Sequence, residues 1–207
     1  MAEERVDIAV ENGKTFLEGL FEQGPQGRNA IICHPHPLYG GNMHNDVVQA
    51  AQKAFSALGW ATLRFNFRTA GTANPAQGEK DGFDLLEISQ FMNSRSPGPI
   101  AFAGYSYGAW AILDSIRSGL NPDWLVLISP PLDFLSFQGL KPPRAPTLIT
   151  LGDKDQFCSV KSLAAWLAAS PDPHSTVVEI LPDVDHFYRG AQRQLARKIK
   201  DFPARLS

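Results

Sequence analysis

Gly104-Tyr105-Ser106-Tyr107-Gly108 has the Gly-x-Ser-x-Gly pattern, and Ser106 is the candidate nucleophile of this chain. A short apolar run, Ile100 to Ala103, precedes it behind Pro97, Gly98 and Pro99, and reads as a buried strand. Ala109, Trp110, Ile112, Leu113 and Ile116 then recur at helical spacing. The pattern predicts a strand that turns sharply into a helix at Ser106. Such a turn pushes the hydroxyl outward and aims the helix start, with its backbone N–H groups and positive dipole end, at a developing oxyanion. Gly104 and Gly108 are expected where the two backbones close on each other, with positive φ available to them. A serine hydroxyl is a weak nucleophile and needs an adjacent base. His186 is the candidate base, and it follows the apolar run Thr176 to Leu181. The base needs an acid to orient it, and both Asp153 and Asp155 follow the run Pro146 to Leu151.

An oxyanion needs backbone N–H donors. Tyr107, the residue after the nucleophile, is one candidate. The other is expected in His34-Pro35-His36-Pro37-Leu38, after the run Ala30 to Cys33. Pro35 and Pro37 have no N–H, which leaves His36 or Leu38. His34 and His36 also read as a metal pair, but the Asp-His that follows His-x-His in zinc hydrolases is absent. The reading is therefore no metal and no cofactor. Gly13-Lys14-Thr15 is not a phosphate loop, because Ile8 stands where its first glycine belongs.

The elements that must position these residues alternate. Val6–Val10 and Phe16–Phe21 predict an antiparallel hairpin about Glu11 to Lys14. Strands are then expected at Ala30–Cys33, Trp60–Phe67, Ile100–Ala103, Trp124–Ile128, Pro146–Leu151 and Thr176–Leu181. Helices are expected at Asn45–Leu58, Glu79–Arg95, after Ser106, at Ser159–Ala169 and from about Arg189 to Leu206. This alternation predicts an α/β fold with a doubly wound, mostly parallel sheet. Ligands in such sheets sit at the carboxyl ends of the strands, where Ser106, the two aspartates, His186 and the His34 loop all fall.

With 207 residues, 43% hydrophobic and 19% charged, the chain is expected to form a single domain, 1–207, with a sizeable core. A net charge of −2 gives no reason to expect nucleic-acid binding. No apolar run reaches the ~18 residues of a membrane span, and the acidic start Met1 to Arg5 does not read as a signal peptide, so none is expected. Two cysteines, Cys33 and Cys158, make no disulfide framework. The cytoplasm is the expected compartment, with no nucleic-acid or membrane partner.

Serine, then aspartate, then histidine is the chain order of α/β-hydrolases. The sequence resembles that superfamily, and more narrowly its small, lid-poor serine hydrolases related to dienelactone hydrolase. The resemblance is carried by His34-Pro35-His36-Pro37-Leu38-Tyr39-Gly40-Gly41, by Phe65-Asn66-Phe67-Arg68 with Gly71, and by the Ser106 turn. Gly152-Asp153-Lys154-Asp155 and Asp185-His186-Phe187 complete it. It implies hydrolysis of a small-molecule ester or thioester through an acyl-enzyme, with Asp155 as the acid and His36 as the second oxyanion donor. Thr69-Ala70-Gly71-Thr72-Ala73 departs from the Gly-x-Gly-x-Ser of relatives, so no substrate contact is carried over there. Residues Leu132 to Pro143 are too few for a large cap domain. A serine peptidase of the same fold is the alternative enzyme, and a non-catalytic scaffold protein on this fold is the alternative class.

Overall fold

A computed structural model describes residues 2–68, 81–169 and 175–203. The Thr69 to Ala73 stretch, His174 and Leu206 lie outside them. The chain opens as a hairpin, β1 (Glu4–Val10) against β2 (Thr15–Glu22). Its turn holds Glu11, Asn12 and Gly13 at positive φ. From there strands and helices alternate. They run β3 (Asn29–Cys33), α1 (Asp46–Ala57), β4 (Ala61–Phe65), α2 (Asp81–Arg95), β5 (Ile100–Tyr105) and α3 (Tyr107–Arg117), then β6 (Trp124–Ile128), β7 (Thr147–Gly152), α4 (Val160–Leu167), β8 (Thr176–Leu181) and α5 (Gln192–Asp201).

Among the described residues the strands form one eight-stranded sheet in the order β1-β2-β4-β3-β5-β6-β7-β8. From β4 to β8 neighbouring strands are parallel, and β2 joins β4 antiparallel. This is an α/β-hydrolase fold, with the N-terminal hairpin set on the edge of a mostly parallel sheet.

The burial pattern explains the layers. β3, β4 and β7 are buried at every position, as parallel strands covered on both faces must be. Alternate residues serve opposite cores. Ala30 and Ile32 share one core cluster with Val48 and Phe55 of α1 and with Leu195 and Ile199 of α5. Ile31 and Cys33 meet Leu85 and Ile88 of α2 and Ile112 of α3. Farther along the sheet, Leu127, Ile149 and Leu151 pack with Leu113 of α3 and Leu163 of α4.

Helix starts are set by side-chain caps. Asn45 accepts from the N–H of Val47 at 2.9 Å, and Ser159 accepts from that of Ser162 at 3.1 Å. The last helix starts at Gln192 rather than Arg189, because Tyr188 and Gly190 have φ of 54° and 76° and break helical geometry. β4 ends at Phe65, short of Phe67, because the chain there leaves the sheet toward His34.

The strand order reverses direction at β3, whose sequence successors β4 and β5 lie on its two sides. The loops after β3 and β5 diverge at this switch point and open a crevice. Between them the glycines permit close approach. A Cβ on Gly104 would lie 2.5 Å from the Ala109 nitrogen, and one on Gly108 would lie 2.5 Å from the Cys33 carbonyl oxygen. Gly108→Ala should therefore push α3 off β3 and lower unfolding stability by about 1–3 kcal/mol, as read from urea denaturation.

Candidate active site

Ser106 stands between β5 and α3 with φ 54° and ψ −115°. The positive φ open to the flanking glycines is adopted instead by the serine itself. Its N–H continues the sheet ladder to the Ile128 carbonyl at 2.9 Å, while its carbonyl accepts from Ala109 at 3.0 Å as α3 begins. One residue thus ends a strand and starts a helix, and its side chain turns outward.

The loops after β7 and β8 are zipped together by backbone. Asp153 donates to Leu181 at 3.0 Å and Lys154 donates to Val184 at 3.0 Å. Gly152 makes this contact possible, because a Cβ there would strike the Val184 carbonyl. The zip brings residues 31 positions apart into contact: His186 Nδ1 lies 2.8 Å from Asp155 Oδ2 and 3.0 Å from Oδ1. On the other side of the ring, Nε2 lies 2.9 Å from Ser106 Oγ. Asp155 and His186 are both buried. Asp155 Oδ1 also accepts from the N–H groups of Phe157 at 2.8 Å and Cys158 at 3.1 Å. Asp155 thus also bonds the backbone of its own turn, whereas Asp153 is exposed. Asp183 pairs with Lys154, and Asp185 accepts from the N–H of Phe187 at 3.0 Å.

Tyr107 opens α3, and its ring packs 4.7 Å from that of His36. The loop after β3 folds into a 3-10 turn, Pro37–Tyr39, in which the His36 carbonyl accepts from Tyr39 and Gly41, both at 3.1 Å. The N–H of Leu38 donates to His36 Nδ1 at 3.2 Å, so it is already engaged. A cavity of about 500 Å³ lies over Ser106, with His186, His36 and Tyr107 in its wall. Phe134 and Leu135 bring the Leu132 to Pro143 stretch to its rim. That stretch is tied down by two indoles: Trp110 donates to the Ser136 carbonyl at 2.9 Å and Trp166 to that of Leu140 at 2.8 Å. Cys33 and Cys158 are free buried thiols, and burial pushes the Cys158 thiol up to about 12.

No protein-family model matches the chain. An uncharacterized protein of Rickettsia prowazekii, RP471, is 29% identical over 201 residues, covering 90% of this chain and 83% of that protein. Among solved structures, the chain is similar to XC6422 of Xanthomonas campestris, described as an α/β serine hydrolase without a lid. The TM-score is 0.87 at 26% identity, over 100% of this chain and 95% of the other. It is also similar to an α/β serine hydrolase homologue from Coxiella burnetii, with TM-score 0.86, 27% identity and 97% of both chains covered. The chain is an α/β-hydrolase. Among the described residues of this hydrolase, no helix is long and apolar enough to cross a membrane.

Several residues that hold the hydrolase's site together were not singled out from sequence. Tyr105 donates its hydroxyl to the His186 carbonyl at 2.8 Å and sets its ring 5.5 Å from the imidazole. Tyr188 is buried with its hydroxyl 3.1 Å from Ser129 Oγ and 3.0 Å from Thr150 Oγ1, which anchors the His186 loop to the ends of β6 and β7. Burial raises both phenols, so they stay protonated and able to donate. Phe157 presents its edge to the His186 ring at 4.7 Å. Their sequence signal was alternation about the motif: tyrosines flank Ser106 on both sides, and a third follows His186 by two residues.

His34, read from sequence beside a metal alternative, has both ring nitrogens committed to backbone. Its Nδ1 donates to the Pro35 carbonyl at 2.6 Å, and its Nε2 accepts from the N–H of Phe67 at 2.9 Å. Asn66 adds a second brace by accepting from the N–H of Met43 at 2.9 Å. The Phe65-Asn66-Phe67-Arg68 motif therefore secures the loop after β3 from beneath, and Arg68 is itself paired with Asp84 and Glu11.

Only a neutral His34 can accept from Phe67, and burial lowers its pKa from 6.5 to about 4. The unfolded chain binds this proton at higher pH than the folded one. The His34 contribution, on the order of 3 kcal/mol, is therefore complete above pH 6.5 and is lost as pH falls toward 4. Urea unfolding measured between pH 4 and 7 should show a steeper fall in stability for the native protein than for His34→Gln.

Proposed function

We propose that the chain is a serine hydrolase of carboxylic esters or thioesters, working through an acyl-enzyme with Ser106 as nucleophile, His186 as base and Asp155 as acid. The observation that carries this reading is the continuous hydrogen-bonded chain from Ser106 Oγ through His186 to the Asp155 carboxylate. Asp155 accepts from Nδ1–H, which leaves Nε2 with a lone pair to take the serine proton as Oγ attacks the acyl carbon. The imidazolium so formed returns that proton to the leaving alcohol or thiol. Water then attacks the acyl-enzyme with the same base, releasing the acid and restoring Ser106.

Negative charge develops on the carbonyl oxygen at each step. The N–H of Tyr107 is assigned as one donor to it, since first-turn N–H groups point along the axis and the dipole adds to their field. The N–H of His36 is assigned as the other. Leu38 is the poorer candidate, because its N–H is spent on the His36 ring. The braces on His34 and the prolines on either side of His36 fix this donor before substrate arrives, so little reorganisation is needed in the transition state.

Two variants test the assignment on p-nitrophenyl acetate. Ser106→Ala should fold normally and lose nearly all turnover. Asp155→Asn should lower kcat by roughly 10⁴ through the wrong imidazole tautomer. Asp153→Asn, changed at an exposed position, should cost far less. Equal losses at the two aspartates would contradict the acid assignment.

A further inference from the structure

Three of the exposed large apolar side chains of this protein stand on the rim of the cavity over Ser106: Tyr39, Phe134 and Phe187, with 75%, 49% and 45% of their surface in solvent. Exposed apolar rings gathered at one place mark a binding surface rather than a packing need. These rings also touch in sequence around the opening. Tyr39 meets Phe134 at 6.1 Å, Phe134 meets the half-buried Phe157 at 5.1 Å, and Phe157 meets Phe187 at 6.4 Å, all edge to face. The result is an aromatic arc. One end lies against His36, whose ring is 5.2 Å from Tyr39. The other lies against His186, whose ring is 5.7 Å from Phe187.

The two ends are chemically different if the site works as proposed above, and the present inference rests on that reading. The leaving oxygen of an ester must reach His186 Nε2 to collect its proton, so the alcohol part lies at the end of the arc made by Phe157 and Phe187. The carbonyl oxygen is committed to the N–H donors at Tyr107 and His36. The third substituent of the reacting carbon, the acyl chain, is left the remaining stretch of the arc, Tyr39 and Phe134. We infer that the arc is two subsites, with Phe187 receiving the alcohol and Tyr39 with Phe134 receiving the acyl group. Each subsite presents ring faces and edges, which favours apolar, ring-sized groups on either side of the ester bond. The cavity, about 500 Å³, is in the range that accepts both at once.

The test uses four esters and three proteins: the native enzyme, Phe134→Ala and Phe187→Ala. For the acyl side, kcat/KM is measured on p-nitrophenyl phenylacetate and p-nitrophenyl acetate, which share a leaving group. For the alcohol side it is measured on benzyl acetate and ethyl acetate, which share an acyl group. The ratio within each pair cancels any uniform loss from damage to the protein, and comparing that ratio between variant and native cancels the esters' intrinsic reactivity. Phe134→Ala should lower the phenylacetate-to-acetate ratio about 10-fold and leave the benzyl-to-ethyl ratio within twofold of native. Phe187→Ala should do the reverse. Native turnover with ratios that stay put, that fall together in both variants, or that fall in the opposite variants overturns the subsite assignment and leaves the hydrolase reading standing. No native turnover of any of the four esters overturns the hydrolase reading, and the subsites with it.

Discussion

Ser106 is held at φ 54° and ψ −115°, a backbone conformation that costs a non-glycine residue about 1–3 kcal/mol. It is the joint between β5 and α3, and the surroundings over-determine it. On one side its N–H is locked to β6. On the other its carbonyl seeds the helix, and Gly104 and Gly108 remove the atoms that would force the joint open. The conformation has two consequences at once. It lifts the hydroxyl clear of the sheet, and it places the first N–H of α3 next to it. Any relaxation of the joint would separate the two groups that the proposed chemistry needs side by side.

The partners of that serine come from far along the chain, and backbone contacts rather than their own side chains bring them there. The loops after β7 and β8 are joined by main-chain bonds across Gly152, and Asp155 and His186 ride on them. Asp155 has its position set by the N–H groups of Phe157 and Cys158 before His186 arrives. His186 is held at its carbonyl by Tyr105 and packed by Phe157. Because Tyr105 precedes Ser106 directly, the strand that carries the serine also steadies His186, so a shift of one is passed to the other.

Much of this was legible in the residues. The elbow shows in sequence because two periodicities meet at a serine between glycines, and the order of strands follows from apolar runs of the right length. Ser106, the two aspartates and His186 could be gathered at one sheet edge because each follows such a run. Other features were not legible, for physical reasons. Which glycine or serine carries the strain is a property of the closed joint rather than of residue type, so positive φ, which Gly104 and Gly108 could adopt freely, is found at Ser106 instead. Choosing Asp155 over Asp153 needed the resemblance, because the two differ only in which one the turn buries. Tyr105, Tyr188 and Phe157 act through contacts distant in sequence, so their places beside the motif residues do not show what each one holds. A metal reading of His34 could be weighed at all because a buried histidine serving two backbone groups has the same residue type as one serving a metal.

The account stands on Ser106 being a nucleophile activated through His186. The most direct measurement is intact-mass and peptide analysis of the native protein after brief exposure to a fluorophosphonate at neutral pH. The prediction is one adduct per chain on the peptide containing Ser106, formed at least 100-fold more slowly in His186→Ala. An adduct on another residue, or equal labelling with and without the imidazole, would contradict it.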